Sequence, residues 1–102
     1  MYAEAMGDLR FVWDRAKAAT NQRKHGVSFS EAQSIFADEN GLFLSDPDHS
    51  EHEDRFLLLG LSVRLRIFTV IRTVSDGGDS IRIISARTAT SLEQRQYLDR
   101  VM

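Results

Sequence analysis

Residues 81–90 read IRIISARTAT, and Glu93 follows three positions later. The first half is a short, isoleucine-rich apolar run, which is typical of a buried strand. Thr90 and Glu93 form the Thr-x-x-Glu pattern of a helix N-terminus. The segment therefore predicts a strand that leads directly into a capped helix. Arg82 and Arg87 stand at the two ends of the predicted strand, where a buried charge needs either a carboxylate or an anionic ligand beside it.

The strand over residues 81–86 has predicted neighbours earlier in the chain. Residues 65–74 are rich in Ile, Val, Phe and Thr, and the sequence SDGGD after them predicts a tight turn, so these two strands form a hairpin. Residues 55–61, 42–44 and 9–13 predict three further short strands.

Three helices complete the predicted order. Asp14 is a suitable N-cap for an alanine-rich helix that Gly26 ends, and Ser28 with Glu31 forms a capping box for a second helix. The last helix covers residues 91–100, with its predicted apolar side made of Leu92, Leu98 and Val101. The order β-α-α-β-β-β-β-α predicts an α+β fold with an antiparallel sheet of four to five strands. Residues 1–8 are expected to form a flexible N-terminal extension, and residues 9–102 a single domain.

Composition excludes several classes of protein. No apolar run approaches the roughly 20 residues that cross a bilayer, the N-terminus lacks the features of a secretory signal, and there are no cysteines. These features favour a cytoplasmic protein with no membrane partner. The net charge is −2, but residues 38–54 hold seven acids without Lys or Arg, whereas residues 55–74 hold four arginines without an acid. This segregation predicts an acidic loop and a basic face.

The arginines are the first candidate site residues. A period of two places Arg82 on the same face as Ile84 and Ala86, with Arg87 on the opposite face. Arg72 and Arg82 are expected to lie across the hairpin from one another, where an anion between them would relieve their repulsion. The alternative is that the acids of the loop over residues 46–54 neutralise them. Because the two arginines fall on different faces, they need not do the same job: Arg82 is our candidate for phosphate, with a carboxylate as the alternative, and Arg87 belongs to the rim of the site or to a salt bridge with Glu93 or the acidic loop.

Two histidine motifs have both a chemical and a structural interpretation. His25 could act as an acid or base because its unperturbed pKa is about 6.5. Alternatively, it is one of the basic residues that a helix C-terminus favours, with Gly26 as the stop. His49 and His52 could bind a metal among the surrounding acids, although a solvated acidic loop is the ordinary explanation.

Several motifs in this order resemble the BrnT family of toxins. They are FxWDxxK from Phe11, KHGVSF from Lys24, ExRF from Glu53 and IRIISARxA from Ile81. Together they extend over roughly residues 9–98, which is nearly the whole chain. The resemblance implies a RelE-like α+β fold and a type II toxin–antitoxin ribonuclease that cleaves RNA without a metal or other cofactor and inhibits translation.

The resemblance also implies partners and residue roles. A BrnA-like ribbon-helix-helix antitoxin would neutralise the toxin and would alone contact operator DNA, and homo-oligomerisation stays open. The implied catalytic residues are Arg55, Arg72 and Arg82, with Glu53 or His25 moving protons. Lys24 and Arg87 are candidates for binding the RNA substrate.

A second hypothesis is a non-catalytic interaction module that serves as the partner and co-repressor of a DNA-binding antitoxin. Its arginines would pair with acids of the partner or of the 46–54 loop. The low isoelectric point, near 5.9, argues against strong affinity of the free chain for RNA, because such affinity comes mainly from neutralising phosphates.

Overall fold

The computed structural model describes residues 2–6, 9–45, 55–75 and 80–102. The strands are Tyr2–Met6 (β1), Leu9–Trp13 (β2), Leu42–Ser45 (β3), Arg55–Leu61 (β4), Ile67–Ser75 (β5) and Ser80–Thr88 (β6). The α-helices are Arg15–His25 (α1), Phe29–Gln33 (α2) and Ser91–Val101 (α3), and a short 3₁₀ helix covers Ser34–Ala37. From β2 onward this is the predicted order of strands and α-helices. No helix in the described ranges is long and apolar enough to cross a membrane.

All six strands form one mixed sheet in the order β1-β2-β6-β5-β4-β3. The meander from β3 to β6 is antiparallel, as its short connections predict. Strand β2, however, pairs in parallel with β6, so the prediction of a purely antiparallel sheet is wrong. Tight turns determine the direction of strands that are neighbours in sequence, whereas β2 reaches β6 only after two helices and three strands.

Strand β1 was not predicted. Residues 1–8 were expected to form a flexible extension, but Tyr2–Met6 pairs antiparallel with β2 and becomes an edge of the sheet. The two strands are separated in sequence by Gly7 and Asp8, a dipeptide typical of two-residue hairpins, and this is the signal that was missed. The described sheet therefore has six strands instead of four to five.

The main core lies between α1, α2 and one face of the sheet, which we call the core face. Its buried sheet residues are Phe11, Trp13, Leu58, Phe68, Val70, Ile83 and Ala86, and its helix-side residues are Val27, Phe29, Ala32 and Ile35. We call the opposite side of the sheet the second face. Helix α3 packs on the second face near the C-terminal end of β6, where Glu93 bonds to Thr69 and Arg87.

Helix α3 does not pack as predicted. Leu92, Leu98 and Val101 are exposed, with Leu92 at 67%, whereas Tyr97 is buried at 4%. Glu93 and Tyr97 lie one turn apart and bond to the rest of the chain through Thr69 and Asp38. The helix therefore turns a mixed polar and aromatic side towards the sheet, and the apolar residues that were assigned to the core point elsewhere.

A β-bulge interrupts β6. Ile83 and Ala86 both belong to the core although they are three residues apart, which strict alternation does not allow. The register with β5 shifts between Ile71 and Arg72, and Ile84 is the extra residue.

The bulge reverses the alternation of side chains along β6. Ala86 is on the core face, so the prediction that it shares a face with Arg82 is wrong. Register pairs Arg82 with Thr73 and Arg87 with Thr69, and these β5 residues alternate with core residues. Arg82 and Arg87 therefore both lie on the second face instead of on opposite faces.

Candidate functional site

A groove lies between α1 and the edge of β6, where β2 has ended. Strand β2 pairs with β6 only as far as Arg82. Beyond that point Asn21, which is buried in α1, takes the place of a neighbouring strand. Its side-chain amide donates to the carbonyls of Ala86 (2.8 Å) and Val27 (3.0 Å), and its oxygen accepts from the Ala86 N–H at 3.1 Å. Asn21 thus forms the hydrogen bonds that a neighbouring strand would otherwise form with the edge of β6, and it fixes the distance between α1 and β6.

The groove has a volume of about 340 Å³, and most of its lining residues are polar or basic, although apolar atoms make up most of its accessible surface. The lining residues are Ala16, Lys17, Thr20, Asn21, Lys24, His25, Ile84 and Ser85. Lys17, Asn21 and Lys24 follow the helical spacing i, i+4 and i+7, so one side of α1 faces the groove. That spacing was the signal that could have identified Lys17 and Thr20 as site residues.

The caps of α1 determine where its basic residues lie. The Asp14 carboxylate accepts from the N–H groups of Ala16 (2.8 Å) and Lys17 (3.2 Å), and Gly26 closes the helix at a φ of 69°. The hydrogen bond from the Lys17 N–H is the main cause that lowers the pKa of Asp14, and the charge of Arg82 adds a smaller contribution. Arg82 therefore lies near the start of α1.

Arg55 and Arg82 lie on the same face of the sheet. Thr73 of β5 is in register with Arg55 of β4 on one side and with Arg82 of β6 on the other. Two strand spacings separate the arginines by about 10 Å at the backbone, a distance that two arginine side chains can span to reach one anion. Within the part of the chain that the structure describes, no carboxylate forms a salt bridge with Arg82.

Arg72 lies elsewhere. It is in register with Phe56 on the core face, and its guanidinium stacks on the rings of Phe56 (4.9 Å) and Phe43 (5.1 Å). Burial lowers the pKa of Arg72, and its buried Nε has no hydrogen-bond partner among the described residues. Across the hairpin Arg72 faces Ile83, not Arg82, so the prediction that Arg72 and Arg82 share one anion is wrong.

Arg87 has a carboxylate partner. Its Nη1 and Nη2 donate to the two Glu93 oxygens at 2.7 and 3.0 Å, so the predicted salt bridge with Glu93 is confirmed. Glu93 also accepts from Thr69 Oγ1 and from the N–H of Thr90, each at 2.9 Å. Arg87 first, and then these other donors, lower the pKa of Glu93 to about 2.

The remaining predicted residues divide into two groups. Lys24 and His25 are exposed on the last turn of α1 and line the groove. Glu53 lies outside the described residues, as does the 46–54 loop with His49 and His52. The structure thus brings Lys24 and His25 together with Lys17 and Ser85 along the groove, with Arg82 near the other end of α1, and it separates them from Arg72. Ser85 enters the site because of the bulge, which no local sequence pattern indicated.

Comparisons with known proteins agree with the resemblance. A family model described as the ribonuclease toxin BrnT of type II toxin–antitoxin systems matches residues 13–93. The crystal structure of the ribonuclease toxin BrnT from Brucella abortus is similar to this chain, with a TM-score of 0.61 and 25% sequence identity over 79% of this chain and 96% of that one. No curated protein gives a significant sequence match. The matched range contains α1, β6 and the groove between them.

Proposed function

Because the chain belongs to the BrnT family of ribonuclease toxins of type II toxin–antitoxin systems, we propose that it is a metal-independent endoribonuclease. Its RNA site is the groove between α1 and β6 together with Arg82. The observation that carries this proposal is the position of Arg82. This arginine forms no salt bridge with a described carboxylate, and it lies near a groove that is lined by Lys17, Lys24 and His25.

The basic residues have the chemistry that binds a phosphodiester. Lys17 and Lys24 offer ammonium groups along one side of α1, which would hold the RNA backbone by charge. Arg82 offers a planar fork of donors that matches two phosphate oxygens. Arg55 is on the same face as Arg82 and adds a second guanidinium within reach of the same anion. These cations would stabilise the extra negative charge of the phosphorane as it forms.

Cleavage without a metal requires transfer of two protons. The 2′-oxygen of the ribose attacks the adjacent phosphorus and loses its proton to a base, and the bond from phosphorus to the 5′-oxygen breaks as an acid protonates that oxygen. The products are a 2′,3′-cyclic phosphate and a 5′-hydroxyl. His25 lines the groove, and histidine is the side chain that most readily gives and takes a proton near neutral pH, so it is our candidate for one transfer. Glu53 is the candidate for the other on the strength of the family resemblance alone.

The family supplies the wider proposal. Cleavage of RNA would inhibit translation in the cytoplasm, and a BrnA-like ribbon-helix-helix antitoxin would neutralise the toxin and contact operator DNA. We also propose that the fold is RelE-like, on the basis of the α+β order and the meander from β3 to β6. Arg72 and Arg87 are not included in the RNA site, because one stacks on the core face and the other pairs with Glu93.

An RNA-cleavage assay in EDTA tests the proposal. The wild-type chain is expected to cleave RNA with EDTA present, and addition of the antitoxin should stop cleavage. Arg82→Ala should lower the rate at least 100-fold, the scale of losing one stabiliser of transition-state charge, while the melting temperature changes little. Arg95→Ala is the matched control, because Arg95 is an exposed arginine on α3 outside the groove.

Three results would contradict the proposal. Loss of cleavage in EDTA would indicate a metal enzyme. A large fall in the melting temperature of Arg82→Ala would indicate that Arg82 is an ion-pairing residue of the fold. Absence of cleavage together with tight antitoxin binding would support the non-catalytic partner and co-repressor instead.

A further inference from the structure

The turn between β4 and β5, residues 62–66, exposes two apolar side chains. Val63 is 76% exposed and Leu65 is 77% exposed. Arg64 lies between them and is exposed as well. Together Val63, Arg64 and Leu65 form a small apolar surface with a positive charge, which we call the turn knob. None of these residues lines the groove between α1 and β6.

The backbone at Leu65 is strained. Its φ is 63°, in the left-handed region where a side chain crowds the following carbonyl, and no other described non-glycine residue has a positive φ. Glycine or asparagine is the usual residue at such a turn position. Leu65 therefore strains the backbone and, because it is exposed, adds no packing to the core. Strain of this kind points to a role outside the fold.

Buried polar groups hold the turn in one conformation. The Ser62 hydroxyl donates to Glu31 Oε2 at 2.7 Å and accepts from the N–H groups of Arg64 (3.2 Å) and Arg66 (3.3 Å). The Arg66 guanidinium forms two hydrogen bonds with the Glu31 carboxylate, and Ser62 and Glu31 are both buried. The turn knob is therefore preorganised, which lowers the entropy that a binding partner must remove.

We propose that the turn knob is an anchor for the antitoxin, which receives it in an apolar pocket with carboxylates at the rim. This inference rests on the proposed function, because it requires a neutralising protein partner. Val63 and Leu65 would become desolvated at the centre of the contact, where anchors stabilise interfaces most. Arg64 selects an acidic rim by charge complementarity.

The same features disfavour two other occupants. A second copy of this chain, related by a twofold axis at the turn, would bring its own Arg64 to the same surface, where the like charges would repel. Single-stranded RNA binds to exposed aromatic rings among cations, whereas the turn knob presents aliphatic side chains.

The test compares Leu65→Gly and Val63→Ser with Leu92→Ser as a control, because Leu92 is a similarly exposed leucine on α3. The probe is the purified BrnA-like antitoxin that stops RNA cleavage by the wild-type chain. The measurements are its Kd, RNA cleavage by the chain alone, the melting temperature, and the sedimentation of the chain alone. Glycine adopts a φ of 63° without strain, so Leu65→Gly should melt no lower than the wild type.

The expected result is a Kd at least tenfold higher for Leu65→Gly and Val63→Ser, with unchanged cleavage by the antitoxin-free variants and an unchanged Kd for Leu92→Ser. A Kd within twofold of the wild type for both turn variants would overturn the inference and leave the proposed function intact. A shift in self-association, or slower RNA cleavage, at unchanged antitoxin affinity would assign the turn to a second copy or to RNA. A wild-type chain that neither cleaves RNA nor binds the antitoxin would refute the proposed function as well.

Discussion

Replacement of Glu93 by glutamine should destabilise the fold in a manner that depends on pH. The four donors that bond its carboxylate come from β5, β6 and the N-terminus of α3, so this carboxylate joins the helix to the sheet. Glutamine at this position preserves the shape of the side chain and the capping pattern with Thr90, so the substitution removes little except the charge.

The magnitude follows from the pKa of Glu93, which falls from 4.5 to about 2. At about 1.4 kcal/mol per unit, that fall corresponds to about 3 kcal/mol of stability at neutral pH. Because the Arg87 side chain is 36% exposed and solvent screens the pair, we expect about 2 kcal/mol for Glu93→Gln. A loss of that size lowers the melting temperature of a domain of this length by about 10 °C.

The sign of the pH dependence is determined by the direction of the shift. The folded-state pKa of Glu93 lies below the unfolded value, so its stabilisation is present above pH 4.5 and is lost as the pH falls towards about 2. At pH 7 the free energy of unfolding of Glu93→Gln should be about 2 kcal/mol lower than that of the wild type, and at pH 3 the difference should be less than half of that.

Urea unfolding of both proteins at pH 7 and pH 3 measures this difference. Glu39→Gln is the matched control, because Glu39 is exposed and an isolated surface substitution changes stability by about 0.5 kcal/mol or less. An equal deficit for Glu93→Gln at the two pH values would refute the electrostatic explanation, since it would mean that lost packing causes the destabilisation. A deficit indistinguishable from that of the control at pH 7 would refute the importance of the contact itself.

Two further substitutions test the contacts that join β6 to α1 and β4 to the 3₁₀ helix. Asn21→Ala should lower the free energy of unfolding by about 2–3 kcal/mol, because it leaves the buried polar groups of Ala86 without partners, and urea unfolding measures the loss. Gly60→Ala should cost about 1–3 kcal/mol by the same measurement, because a Cβ at that position would lie 2.9 Å from the Cβ of Ile35. A variant Gly60→Ala as stable as the wild type would show that the 3₁₀ helix can move away.

The helices could be predicted because their signals are local. Asp14, Ser28 and Thr90 each accept a hydrogen bond at the helix start where the sequence predicts a cap, and Thr90 completes its capping box with Glu93. Gly26 ends α1 in the left-handed conformation that its position after Lys24 and His25 predicts. In each case the residues that determine the feature lie within one turn of one another.

The pairing of β2 with β6 and the bulge at Ile84 could not be read in the same way. Both depend on which strands pair within the sheet. The long segment between β2 and β6 allows these two strands to pair either parallel or antiparallel. The apolar run around Ile84 gives no sign of the extra residue, because isoleucine suits either face of a buried strand. The error in the face of Arg87 follows from the bulge, which is one of these non-local features.

The candidate site was predictable in part for the same reason. Lys24 and His25 stand in a local motif at the end of α1, and Arg82 stands out as a charge in an apolar strand. Ser85 lines the groove because of the bulge, which no local pattern predicts. Arg72 lies outside the site because it is in register with Phe56 on the core face.

The two arginines of β6 differ in their carboxylate partners because of their distance along the chain from α3. Helix α3 begins soon after β6 ends, so its first turn lies over the last residues of the strand, and Glu93 meets Arg87. Arg82 is five residues earlier on the same face, beyond that carboxylate and close to the start of α1. The bulge puts both charges on one face, and α3 then neutralises the nearer one. Among the described residues, no carboxylate forms a salt bridge with Arg82, which is why we propose Arg82 as the residue that binds the anion.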